Sequence, residues 1–123
     1  MENLNFDKLC GLLARIPAIE QVIWSTELHN PWQVMFRIDL SHPIAWNIIQ
    51  ELGSILNYAS YDEELKSVFK PVSLPPFKVG GPDGNLMWLI ESNSTEWGPD
   101  ICATWLTNKL PEPVDDPDAW LMA

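Results

Sequence analysis

The stretch Trp32-Gln33-Val34-Met35-Phe36-Arg37-Ile38-Asp39-Leu40, read together with the run from Ser41 to Ala59, decides the fold. In the first part Trp32, Val34, Phe36, Ile38 and Leu40 alternate with Gln33, Arg37 and Asp39, the period of two expected of a strand with one face on a core. The second part changes period. Ile44, Ile48, Ile49, Leu52, Ile55, Leu56 and Ala59 recur every three to four residues and form one apolar stripe of a helix. Ser41 is placed to cap that helix, and Pro43 is tolerated in its first turn.

The neighbouring segments supply the surfaces on which this strand and helix pack. Val22, Ile23 and Trp24 are β-prone, and the break at Leu28 to Pro31 turns them and the quoted strand into a hairpin. Ahead of it Phe6, Leu9, Leu12, Leu13 and Ile16 predict a first helix from about Asn5 to Ile16, capped by Asn3 or Asn5 and ended by Pro17. Val68, Phe69, Val72 and Leu74 predict a third strand, which Pro71 confines to an edge or a bulge. After the Pro- and Gly-rich turn from Pro75 to Gly84, Leu86 to Ile90 is apolar on both faces, as a central strand is. Ile101, Cys102, Trp105 and Leu106 predict a third helix that opens near Pro99 and ends near Lys109.

The order α-β-β-α-β-β-α predicts an α+β fold of two layers, an antiparallel sheet of about four strands with helices on one face. Residues 1–110 are expected to form this single domain, and 111–123 an acidic, Pro-rich tail that docks loosely. A faint repeat at an offset of 52 relates Val34 to Asp39 with Leu86 to Glu91. If it is a true duplication, Asp39 and Glu91 end equivalent strands and converge as an acid/base pair or a cation site.

A chain of 123 residues with 46% hydrophobic content and seven Trp can fill one core, so it is expected to fold without metal, disulfide or cofactor. Its formal net charge of -10 repels nucleic-acid backbones and anionic membranes, which excludes both as direct partners. The acidity is concentrated in residues 62–123, where four basic side chains face eleven acidic ones. No apolar run approaches the length of a membrane span, and no signal segment stands at the amino terminus, so the expected location is the cytoplasm. Cys10 and Cys102 both fall in apolar helical patterns and read as small buried hydrophobes.

Catalytic chemistry has little to build on. His29 and His42 lack metal-ligand spacing and read as loop and cap residues, and no nucleophile has a base at a telling distance. Gly80, Gly81, Pro82, Asp83 and Gly84 lack the Lys and Ser or Thr of a phosphate loop. The expectation is a non-enzymatic cytosolic domain, monomeric or homodimeric, that binds a basic protein, in the manner of an immunity-type inhibitor of a basic bacterial toxin. Its candidate binding residues are Glu112, Asp115, Asp116 and Asp118, with Trp120 and Trp46 as exposed aromatic anchors. The alternatives are a small-molecule or regulatory domain with an apolar pocket, and a small enzyme using Asp39, Glu91 or His42.

Overall fold

The computed structural model describes residues 4–26, 31–59, 67–73, 86–92, 94 and 96–121. Helix α1 (Asp7–Arg15) leads into strands β1 (Ile19–Ser25) and β2 (Trp32–Ile38). Helix α2 (Ala45–Gly53) continues as a π-helical turn (Ser54–Ala59), and strands β3 (Ser67–Ser73) and β4 (Leu86–Ser92) follow. Helices α3 (Pro99–Thr107) and α4 (Pro117–Leu121) close the chain. The sheet is antiparallel throughout, in the order β1-β2-β4-β3. The α+β order read from the pattern is the one observed, with α4 as an addition. His29, Leu74 and the Gly80 to Gly84 loop lie outside the described residues.

All four helices cover one face of the sheet. Trp32, Val34, Phe36 and Ile38 of β2 and Trp88 and Ile90 of β4 enter the same core as Leu9 and Leu13 of α1, Ile48 and Leu52 of α2, and Cys102 and Leu106 of α3. Burial of that stripe, at roughly 25 cal/mol per Å² of apolar surface removed from water, is what holds the two layers together. The opposite face is not the simple solvent face that alternation implies. Gln33, Met87 and Leu89 are buried there as well.

The start of α2 also differs from the sequence reading. Ser41 does not cap it. The Asp39 carboxylate accepts hydrogen bonds from the Ser41 hydroxyl (2.6 Å) and the Ser41 amide (3.1 Å), closing a local turn that delays the helix to Ala45. Within α2, Ile48 and Leu52 are buried whereas Ile49 is only half-buried, since it lies about 100° around the helix from Ile48.

The two sheet edges are built differently. At β3 the Asn57 side-chain amide donates to the Phe69 carbonyl, and its oxygen accepts from the Phe69 amide, both at 2.9 Å. The π-helical turn that carries Asn57 thus supplies the pairing a neighbouring strand would supply. Two residues on, Pro71 has no amide to offer. At β1 the ladder slips between Glu20 and Ile23, where Gln21 takes a positive φ of 54°, a bulge that limits the regular edge to the strand's second half.

Candidate functional site

The carboxyl-terminal segment is the main departure from expectation. Residues 111–121 are not a loosely docked tail: Leu110, Val114 and Trp120 belong to the core, and Trp120 is 0% exposed. Its indole N–H donates to the Val114 carbonyl at 2.9 Å, so the one polar atom of that ring is satisfied inside. Trp120 is therefore not an exposed anchor. The apolar residues of the segment bind it to the domain, and its acidic residues stay outside.

Those acidic residues are held on defined backbone. Asp116 is only partly exposed, and its carboxylate accepts the Asp118 amide (3.0 Å) at the start of α4, so it acts as a helix-capping group. The Asp116 amide in turn donates to the Pro113 carbonyl at 3.1 Å. Glu112, Asp115 and Asp118 are exposed.

Trp46 stands where its place in the sequence puts it, on the solvent side of α2, and is 59% exposed. Helix α4 adjoins α2, and its Leu121 is 58% exposed. The neighbouring α2 and α4 together present two large apolar side chains, with the acidic residues of the segment 112–118 leading into α4. Leu121 escaped the sequence reading because a terminal Trp-Leu-Met run gives no periodicity long enough to tell inside from outside.

The proposed carboxylate pair does not form. In the antiparallel β2–β4 ladder Glu91 lies opposite Gln33, six residues from Asp39, which places the two carboxylates at opposite ends of the sheet. Glu91 pairs with Lys70 at 2.8 Å. Asp39 is held below the usual carboxylate range by the Ser41 hydroxyl and then the Ser41 amide, a turn-stabilising role. The His42 Nδ1 accepts the Ile44 amide at 3.3 Å, ahead of α2. Among the described residues no three His, Cys, Asp or Glu side chains come together as a metal site, and no helix is long and apolar enough to cross a membrane.

Both cysteines are free. Burial pushes the Cys102 thiol up to about 12, against smaller opposing effects of Ser67 and Trp97, and burial followed by the Asp7 charge raises Cys10. A raised thiol pKa leaves the folded protein holding a proton that the unfolded chain releases. The Cys102 contribution to stability is therefore constant below about pH 9 and falls as pH rises from 9.0 towards about 12. The expected slope reaches about 1.4 kcal/mol per pH unit, and Cys102→Ala is expected to flatten it in urea titrations made across that range.

A cavity of about 530 Å³ lies between the ends of α1 and α3, lined by Leu12, Arg15, Leu110, Pro111, Glu112 and Val114 among others. It adjoins a groove of about 480 Å³ that runs between the two helices past Gly11 and Thr104. The chain matches no protein-family model, and neither a curated protein nor a solved structure matches it.

Proposed function

We propose that the protein is a non-enzymatic binding domain whose α2–α4 side receives a basic protein partner. The observation that carries this reading is the immobilised acidic segment. Buried Trp120 and Val114 anchor the segment that carries the exposed Glu112, Asp115 and Asp118, and its helix α4 adjoins α2, on which Trp46 is exposed. Charges fixed by the fold lose less freedom on binding than charges on a free tail. An exposed Trp and a set of exposed carboxylates on one domain have the composition of an interface, in which the apolar residue holds the complex and the charges steer encounter. Inhibition of a basic toxin is one activity this surface serves, and the cytoplasm is its proposed location.

The test is capture of basic proteins from a native lysate by the whole chain, followed by binding kinetics on the captured protein. Asp115→Lys with Asp118→Lys is expected to lower the association rate at least tenfold at ~0.05 M salt, with the difference shrinking as salt screens the charges. Trp46→Ala is expected to speed dissociation, and a loss of tenfold or more in affinity corresponds to about 1.4 kcal/mol. Capture of no basic protein, or equal binding by all variants, overturns the reading.

A second reading rests on the cavity, whose size suits a small molecule and whose lining contains one cation, Arg15. Under it Arg15→Ala impairs ligand binding, while the Asp115 and Trp46 variants behave as the parent protein.

A further inference from the structure

The cavity between the ends of α1 and α3 presents one charge of each sign. Its charged lining consists of Arg15, in the last turn of α1, and Glu112, beyond α3. Both side chains are exposed, and among the described residues neither makes an ion pair or hydrogen bond, with the other or with any third group. Thr107 stands on the same wall. Its hydroxyl donates to the Ala103 carbonyl at 2.8 Å, which leaves its oxygen able to accept. The remaining lining is apolar, with Leu12, Leu110 and Val114 reaching the cavity from the core. Pro111 and Pro113 flank Glu112 and restrict the backbone that carries it, so its carboxylate is offered from a narrowed set of positions.

We propose that this cavity binds a zwitterion with an apolar body, a short apolar peptide with both ends free. The inference rests on the small-molecule reading of the cavity and names the ligand class. The peptide carboxylate sits on the Arg15 guanidinium, whose planar fork meets a carboxylate with two parallel hydrogen bonds. The ammonium sits between Glu112 and Thr107, where the partial negative charge at the carboxyl ends of α1 and α3 also favours a cation. The apolar side chains cover Leu12, Leu110 and Val114.

Charge and size select this class. An anionic ligand would meet Glu112 as a like charge, and a cationic ligand would meet Arg15 in the same way. An uncharged ligand would desolvate both charges with nothing to offset the cost. A volume of about 530 Å³ falls within the roughly 300–1,000 Å³ of pockets that take ligands of drug size, which suits two or three residues better than a single amino acid.

Calorimetric titration of the whole chain with dileucine tests it, alongside three blocked forms: N-acetyl-dileucine, dileucine amide and the doubly blocked N-acetyl-dileucine amide. Dileucine is expected to bind with a Kd on the order of 0.1 mM, as its size allows. Blocking either end is expected to weaken binding about fivefold or more, the loss of one charge-assisted contact. The variants assign the ends. Arg15→Gln is expected to weaken dileucine but not the amide, and Glu112→Gln to weaken dileucine but not the N-acetyl form, because each variant removes a contact that the blocked ligand already lacks. Amide resonances of Leu12, Thr107 and Val114 are expected to shift on titration, which places the ligand in the cavity. No binding of dileucine, shifts confined to other residues, or variants that weaken all four ligands equally would each overturn the proposal. Equal binding of dileucine and the doubly blocked form, with the cavity amides shifting, also overturns it but leaves the small-molecule reading standing. If none of the four ligands moves those amides, that reading falls with the proposal.

Discussion

Replacing Trp120 with Ala is expected to cost about 3–5 kcal/mol of folding stability, the range for truncating a fully buried large aromatic. The side chain is 0% exposed and its indole N–H is bonded to the Val114 carbonyl, so truncation empties the largest single volume that the last helix contributes and leaves that carbonyl unpartnered. A domain of this size has a total stability of about 5–15 kcal/mol, so the variant sits near the edge of folding at ambient temperature. Ending the chain after Leu110 removes Val114 as well and is expected to destabilise at least as much. The control is Leu121→Ala in the same helix, which alters a 58% exposed residue and is expected to stay within about 0.5 kcal/mol of the parent. Urea denaturation checks all three. A Trp120→Ala cost below about 1 kcal/mol would mean that the segment does not pack on the domain in solution.

This segment was also the part of the fold least legible in the sequence, for a physical reason. Pro111, Pro113 and Pro117 among Asp115, Asp116 and Asp118 have the composition of a solvated tail, and α4 spans five residues, too few for an apolar stripe to repeat. What buries Trp120 is a site made by other elements, and a local pattern carries no record of it. The strands and α2 were legible because their periods extend over several repeats: the β2 alternation put Trp32, Val34, Phe36 and Ile38 on the core face, where they are found. Trp46 was legible by the same logic, since it falls off the apolar stripe of a long helix. The acidic site was half legible. Its charges could be read directly, but that Trp120 turns inward and Leu121 outward depends on how α4 packs, and the sequence reading took Trp120 as exposed. Asn57 left no signal at all, because its role requires a π-helical turn and an edge strand to meet. The suspected repeat fails as a functional guide for a related reason. Two strands with the same pattern that pair antiparallel carry their equivalent ends to opposite sides of the sheet, so Asp39 and Glu91 separate instead of converging.

The second large effect is expected at Leu52, where substitution by Ala should cost about 2–5 kcal/mol. Leu52 is fully buried, one turn on from the equally buried Ile48, and both belong to the cluster that includes Phe36, Phe69 and Trp88 of the sheet. Truncation there loses the transfer energy of the removed methyl groups and leaves a cavity. How far the cost rises within the range depends on whether α2 can close the gap. Its freedom to do so is small, because the π-helical turn that follows it is tied to β3 through the two Asn57 hydrogen bonds, and a shift of α2 would strain them. The expected value therefore lies in the upper half of the range. Ile49→Ala removes a similar volume from a half-buried position and is expected to cost less than half as much. The helix-propensity gains of Leu→Ala and Ile→Ala are each a few tenths of a kcal/mol at most, so the difference in urea midpoint reports mainly burial. Equal costs at the two sites would mean that α2 is rotated about its axis from the orientation that exposes Trp46.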